Sequence, residues 1–238
     1  MMASVFSMMA LSLTVPDHTT VSRCAAVLPP LPRMPAGGDL HILIDSTGLK
    51  VYGAGQWMEE KHGTRAHRNW RKLHLAMGAD NFSIVAHPLT DSQTDDPSQV
   101  EPLLSQADCT LTQVTADGAY DGRPTYTVIA GHGEGITVAT PPRVTAVPED
   151  TTGPPCQRDR HLAMIQEKGR LAWQKAEGYG KRALVETMMA CWKTLIGPRL
   201  RARSFAAQQT EAAIGVAVLN RLLSVARPHS IRRQERSA

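Results

Sequence analysis

Three apolar segments in the first half of the chain have the pattern of β-strands. HILID (41–45) is a short apolar run that ends on an aspartate, which is typical of a buried strand. RKLHLAMGAD (71–80) alternates apolar and polar positions, and SIVAHPLT (83–90) follows it after an Asp-Asn turn. We therefore predict that these two segments pair as a hairpin. The polar segment 53–70 is predicted to form a long exposed hairpin.

The pattern then changes to strands that alternate with helices. Asp95 and Asp96 are predicted to cap a helix, TQVTADGAYD (112–121) to form a strand that ends on an acidic turn, and ITVAT (136–140) to form a fifth strand. A short helix is predicted between these last two strands. Three meandering strands followed by alternating strand and helix predict an α/β fold with a ribonuclease-H-like mixed sheet, made of three antiparallel strands plus two further strands.

From residue 157 onward the pattern is helical, so we predict flanking helices and a helical C-terminal part. Glycines at 169, 178, 180 and 197 break this region, and a last helix is predicted from a Ser204 cap to Arg227. Four prolines and two glycines in 24–39 predict a linker.

Composition and charge limit the class of protein. Of 238 residues, 42% are hydrophobic and 20% charged, which is typical of a folded protein. The net charge of +4 is unevenly distributed, because residues 156–238 carry 16 Lys or Arg against 6 Asp or Glu, whereas residues 1–155 carry 10 against 16. This indicates a polyanionic partner that contacts one region, and a solvated basic helical face remains an equal alternative.

Cysteine spacing and hydropathy suggest where the protein is found. The four cysteines form no C-x-x-C pair, which favours a reducing cytoplasm and argues against structural zinc, and the nine histidines have no metal-binding spacing. No apolar run reaches the ~18 residues of a membrane span. Because no Lys or Arg precedes the apolar stretch 5–15, a short amphipathic helix is favoured there over a secretory signal.

Two aspartates are candidates for a catalytic site because each follows an apolar strand. Asp45 ends HILID, and Asp117 ends TQVTAD and precedes Gly118, which permits close approach of a substrate. For either residue alone, a turn cap is the commoner role. Asp121 is an alternative to Asp117.

A third carboxylate is predicted on a helix face. Tyr179, Arg182, Glu186 and Lys193 fall within one stripe roughly 60° wide if 179–193 is a regular α-helix. The alternative is a solvent-exposed face with an Arg182–Glu186 salt bridge at i,i+4.

Four segments together closely resemble transposases of the bacterial insertion-sequence-five family. They are IDSTGLKVYG (44–53), WRKLHL (70–75), TADGAYD (115–121) and YGKRALVETMMACWK (179–193). The Tyr-x-x-Arg-x-x-x-Glu-x-x-x-x-x-x-Lys spacing in the last one is similar to that family's signature at every position. The resemblance extends over about residues 40–228 and includes QRDRH (157–161).

The resemblance implies a DDE transposase. Its metal-binding triad maps onto Asp45, Asp117 and Glu186, with Tyr179, Arg182 and Lys193 as accessory residues. Two Mg²⁺ or Mn²⁺ ions would stabilise the attacking and leaving oxygens of a phosphodiester displacement. Water would first free a 3′-hydroxyl at the transposon end, and that hydroxyl would then attack target DNA. The expected partners are both DNAs and further copies of the chain, in a bacterial cytoplasm near the nucleoid.

Cationic side chains in two segments are predicted to bind DNA phosphates. They are Arg68, Arg71 and Lys72, and after the Gly197-Pro198 break Arg199, Arg201 and Arg203. Trp70, within the first segment, is predicted either to stack on a base or to pack in the core.

Three regions are expected. Residues 1–39 resemble the remnant of an N-terminal DNA-binding region plus a Pro-rich linker, 40–227 form the catalytic domain, and 228–238 a basic tail. A shortened DNA-reading region predicts weak, unselective DNA binding and no mobilisation of the element by this chain alone. Two alternatives stay open, a metal-dependent nuclease or resolvase on the same fold and a non-mobilising DNA-binding remnant.

Overall fold

The computed structural model describes residues 39–51, 70–107, 109–148 and 155–225, together with isolated positions between 4 and 24. Nearly all of the predicted linker and of the 53–70 hairpin, and all of the basic tail, lie outside these residues.

An antiparallel meander forms one half of the sheet. β1 (Asp39–Val51) pairs with β2 (Trp70–Gly78) from Ile42 opposite Gly78 to Lys50 opposite Trp70. The predicted third strand is divided into β3 (Ile84–Ala86) and β4 (Leu89–Asp91), which both pair with β2. The division falls at Pro88, because proline has no N–H to donate to a strand ladder.

Parallel strands form the other half. β5 (Thr110–Thr115) pairs with β1, and β6 (Thr137–Ala139) pairs with β5. The order β3-β2-β1-β5-β6, antiparallel and then parallel, confirms the predicted ribonuclease-H-like sheet. The two-residue strand β7 (Arg199–Leu200), which pairs with the end of β1, is too short for a periodicity and was not predicted.

Helices cover both faces of this sheet. They are α1 (Val100–Gln106), α2 (Arg123–Gly131), α3 (Gln157–Lys168), α4 (Arg170–Ala176), α5 (Ala183–Cys191) and α6 (Phe205–Val225). The predicted breaks occur at Gly169 and Gly178, which adopt φ of 84° and 63°, and Ser204 caps α6 through the N–H of Ala207.

Alternation along β1 divides the core in two. Ile42 and Ile44 face a cluster that includes Leu103 of α1 and Ile129 of α2, whereas Leu43 faces a cluster built on α5 and α6. Successive strand residues point to opposite faces, so one strand anchors both helical layers. β1 therefore lies at the centre of the molecule.

The position predicted for Asp45 at the end of its strand is wrong. β1 continues through Asp45 to Val51, because β2 pairs with it as far as Trp70. The Ser-Thr-Gly segment that suggests a turn remains extended, and Trp70 packs on Gly48, where an added Cβ would lie 3.0 Å from the indole ring.

Candidate acidic site

Adjacent strands bring the two candidate aspartates together. Asp45 lies on β1, and Asp117 follows its parallel neighbour β5 by two residues. Asp45 accepts a 2.8 Å hydrogen bond from the N–H of Ser46. Asp117 accepts one of the same length from the N–H of Ala119, so it caps the short 3₁₀ turn Gly118–Tyr120. Asp117 therefore caps a turn, and this role is compatible with a second role in a catalytic site.

Arg182 links these aspartates to the third candidate. Its Nη1 donates to Glu186 Oε1 at 2.6 Å, and its Nη2 lies 3.4 Å from Asp45 Oδ2 and 3.6 Å from Asp117 Oδ2. The Asp45 side chain is 15% exposed and that of Glu186 54%. Three carboxylates therefore converge on a single guanidinium beside the central strand β1, just beyond the end of β5.

The electrostatics of the cluster reflect its partial burial. Burial raises the pKa of Asp45, an effect that the Ser46 N–H and Arg182 oppose and that the charges of Asp117 and Glu186 reinforce. Burial alone would lower the pKa of Arg182, but Tyr179 and the three carboxylates raise it overall. The guanidinium thus remains charged among the acids.

The segment 179–193 is not the regular α-helix on which the predicted stripe of four side chains depends. Tyr179–Arg182 form a 3₁₀ turn, α5 follows, and Trp192–Ile196 form a π-helical turn. Because the helical period changes at both ends, a 100° spacing does not describe the segment. Lys193 is exposed and forms no hydrogen bond or ion pair with any described residue.

Tyr179 lies close to the acidic site. Its ring packs 5.4 Å from that of the buried Trp173, and burial together with the neighbouring carboxylates raises its pKa against the opposing charge of Arg182. Tyr179 also lines a cleft of about 560 Å³ between α4 and α5, together with Gln174, Lys175, Arg182 and Glu186.

A preformed metal site is not present within the ranges described. No three His, Cys, Asp or Glu side chains there lie close enough together to hold an ion. The position between the acidic residues is taken by the cationic group of Arg182.

Two of the residues predicted to bind DNA are engaged within the protein. Arg71 donates from Nε to Gln208 at 2.9 Å and lies over the Phe205 ring. Lys72 donates to the Thr94 carbonyl at 2.8 Å and to Asp96 at 3.2 Å. Arg68 lies outside the described residues.

Asp96 does not cap a helix through its side chain, so that prediction is wrong. It occupies the N-cap position of the 3₁₀ turn Pro97–Gln99. Its carboxylate accepts a hydrogen bond from Lys72 Nζ and makes no capping hydrogen bond. Its neighbour Asp95 contributes its carbonyl to Ser98.

The arginines after Gly197-Pro198 differ from the first group. Arg199, Arg201 and Arg203 are exposed, and their side chains bind no residue in the part of the chain described. Trp70 is half-buried against Gly48 with Lys50 Nζ 5.4 Å from its ring centre, so it packs within the protein.

Two arginines near the site were not predicted. Arg158 forms an ion pair with Asp121, at 2.7 Å from Nε to Oδ1, and Arg143 donates to the carbonyls of Gly118 and Ala119. The available signal was the QRDRH segment, which the resemblance included without a role. Asp121, considered above as an alternative to Asp117, has a side chain only 1% exposed.

Comparison with known proteins identifies a family. A model described as a transposase DDE domain matches residues 36–221, and a second of the same description matches residues 1–54. Among the helices described, none has the length and apolar character needed to cross a bilayer.

Two solved structures have low similarity. A simian T-cell lymphotropic virus intasome in complex with the PP2A regulatory subunit B56 gamma is 13% identical, with 99% of this chain and 78% of that chain covered and a TM-score of 0.43. A piggyBac transposase synaptic complex with hairpin DNA is 11% identical, with 78% and 47% covered and a TM-score of 0.43.

Proposed function

The chain belongs to the transposase DDE domain family, and we propose that it cleaves DNA and joins strands as the transposase of an insertion sequence of the insertion-sequence-five group. The observation that carries this proposal is the convergence of Asp45, Asp117 and Glu186 on one cationic group. The four segments that resemble the insertion-sequence-five transposases support the assignment to this group.

The three carboxylates fit a divalent metal ion by their chemistry. They supply hard oxygen donors from three different elements, and they already surround a positive charge, that of Arg182. Asp45, Asp117 and Glu186 would hold Mg²⁺ or Mn²⁺, which stabilises charge on the attacking and leaving oxygens of a phosphodiester displacement when bound.

The other residues of the site have tasks that follow from their positions. Once Arg182 releases the carboxylates, its guanidinium can bind the non-bridging oxygens of a phosphate with two parallel N–H groups. Tyr179 borders the same cleft, and Lys175 on its wall is placed to bind the DNA backbone. Lys193 and the exposed Arg199, Arg201 and Arg203 extend the basic surface.

We further propose residues 40–227 as the catalytic domain, acting on transposon ends and target DNA in an assembly with other copies of the chain. The basic C-terminal third supplies sequence-independent affinity for phosphates.

Nicking and joining of supercoiled plasmid test this function. With Mg²⁺ or Mn²⁺ the protein should produce nicked and strand-joined DNA, and EDTA should prevent both. Asp45→Asn, Asp117→Asn and Glu186→Gln should each remove both activities, by at least about a thousandfold, because metal-ligating residues act as a unit. The matched control is Asp80→Asn, which alters an exposed acid outside the cluster.

The alternatives are distinguished by the products. Nicks without joined strands would identify a nuclease or resolvase. DNA binding without any cut would identify a binding protein. Near-normal cleavage by one of the three variants would remove that residue from the site.

A further inference from the structure

The turn that carries Asp117 is anchored at its other end by a buried ion pair. Asp121 Oδ1 accepts from Arg158 Nε at 2.7 Å, and Asp121 Oδ2 accepts from Arg158 Nη2 at 3.2 Å and from the Arg143 N–H at 3.0 Å. The two side chains are 1% and 12% exposed. Both carboxylate oxygens of Asp121 are thus occupied by the protein itself.

The middle of the same turn is also held. The Arg143 guanidinium donates to the carbonyls of Gly118 at 3.3 Å and Ala119 at 3.2 Å. Gly118 lies so close to the loop after β6 that an added Cβ would be 3.3 Å from the Pro141 carbonyl oxygen. Residues 117–121 are therefore pressed against this loop and bound to it by hydrogen bonds.

Arg158 reaches the turn from a helix that is fixed to the sheet. Its neighbour Gln157 accepts from the N–H of Val138 in β6 at 2.8 Å. The first two residues of QRDRH therefore dock the start of α3 on β6 and on the Asp117 turn at once. Asp117 itself has a 33% exposed side chain, and among the described residues it bonds to the Ala119 N–H and to Arg182.

We propose that Arg158 is a positioning residue that, through Asp121, holds the 117–121 turn and so fixes the place of the Asp117 carboxylate. The proposal rests on the function proposed above, in which Asp117 is a metal ligand. A carboxylate that must meet a metal with defined geometry depends on the groups that orient it, and loss of such a group typically weakens metal binding about 10–100-fold. Asp121 then serves the site as an anchor.

Local hydrogen–deuterium exchange tests the anchoring in the full chain without metal or DNA. In Arg158→Gln the amides of residues 118–121 should exchange at least about tenfold faster, while those of β1 and β2 keep their wild-type rates. The matched control is Arg160→Gln, an exposed arginine on the same helix that bonds only the Pro155 carbonyl among the described residues. Arg158→Lys keeps the charge and loses the two-pronged contact, so it should give an intermediate rate even if the glutamine variant does not fold.

Manganese binding, measured by electron paramagnetic resonance on the DNA-free protein, tests the consequence. Arg158→Gln and Asp121→Asn should each weaken Mn²⁺ binding about tenfold or more, and the double variant should lose no more than either single one, because the pair acts as one unit. The proposal is overturned if Arg158→Gln and Arg158→Lys have the same amide exchange rates and the same Mn²⁺ affinity as Arg160→Gln.

Asp117→Asn in the same titration separates the two claims. If it retains wild-type Mn²⁺ affinity, the metal role proposed for Asp117 fails. The exchange comparison still decides whether Arg158 holds the turn.

Discussion

At the scale of single residues, Arg182 both balances the charge of the proposed site and blocks it for a metal ion. It neutralises three carboxylates that would otherwise repel one another, and its guanidinium occupies the place that a metal ion would need. A metal ion and the guanidinium therefore compete for the same oxygens. Arg182 would move toward a phosphate when the carboxylates take a metal.

Removal of Arg182 should separate metal binding from cleavage. In Arg182→Ala we expect Mn²⁺ to bind several-fold more tightly, because a competing cation is gone, and cleavage to fall by about a hundredfold, because a phosphate contact is lost. Resonance titration and a plasmid nicking assay measure the two effects. Lys181→Ala, which removes a neighbouring cation paired with Asp80, is the control. Weaker Mn²⁺ binding in Arg182→Ala would mean that the arginine organises the carboxylates for the metal.

Buried histidines should make the fold sensitive to mild acid. Burial lowers the pKa of His41, His74 and His161 to about 4 each. Since the unfolded chain takes up these protons near the usual pKa of about 6.5, the free energy of unfolding should fall as the pH drops from 6.5 toward 4, by on the order of 1 kcal/mol per histidine. Urea unfolding at pH 7 and pH 5 measures the difference. His74→Asn should reduce it, and equal stability at both pH values would contradict buried neutral histidines.

At the scale of elements, periodicity predicted those strands whose apolar and polar sequence pattern matches their burial in the sheet. Buried runs and alternation identified β1, β2, β5 and β6 and the order of helices around them, because both signals arise from burial on a sheet. The length of β1 could not be predicted, since Ser46, Thr47 and Gly48 are kept extended by pairing with a distant strand. Local preference favours a turn there and tertiary pairing overrides it.

The candidate site was predicted from the sequence only in part. The strand and helix patterns made the three carboxylates candidates, and the motif resemblance selected them as a triad. Their link through Arg182 was foreseen only as a pair with Glu186. The change to a π-helical turn at Trp192, the internal partners of Arg71 and Lys72, and the Arg158–Asp121 pair all depend on contacts between segments far apart in the chain. Such contacts leave no local periodicity.

One side chain of the long helix α6 pairs with the backbone of the sheet. Asn220 donates from Nδ2 to the Ile84 carbonyl and accepts from the Ile84 N–H, each at 2.9 Å, so its amide pairs with β3 as a neighbouring strand would. Asn220→Ala would leave both backbone groups without these partners and should lower the free energy of unfolding by about 2–4 kcal/mol. Urea titration measures it. Thr210→Ala on the same helix is the control, and an equal effect in the two variants would contradict the assignment.

At the scale of the whole molecule, charge and exposure together favour one basic surface for DNA. Arg199 begins β7, and Arg201 and Arg203 follow that strand. The Glu211 carboxylate fixes this segment by accepting from the N–H groups of Arg201 and Ala202. The guanidinium groups are therefore presented on an ordered segment beside the end of β1. They are suited to contact phosphates that extend beyond the acidic site.

Replacement of these three arginines by alanine should flatten the salt dependence of DNA affinity. Each neutralised phosphate contributes about 0.9 to the slope of log K against log salt, so the slope should fall by up to about three such contributions. Fluorescence anisotropy between low and moderate salt measures it. Arg71→Ala is the matched control, because Arg71 already binds Gln208 and should leave the slope unchanged. An unchanged slope in the triple variant would remove this surface from DNA binding.

The central claim is that Asp45, Asp117 and Glu186 together ligate the metal with which the protein cleaves DNA. Cleavage by Asp117→Cys in Mg²⁺ and in Mn²⁺ tests it most directly, because a thiolate is a poor ligand for Mg²⁺ and a better one for Mn²⁺. The account predicts that cleavage by this variant is lost in Mg²⁺ and partly restored in Mn²⁺. Cleavage in Mg²⁺ at the wild-type rate would contradict it.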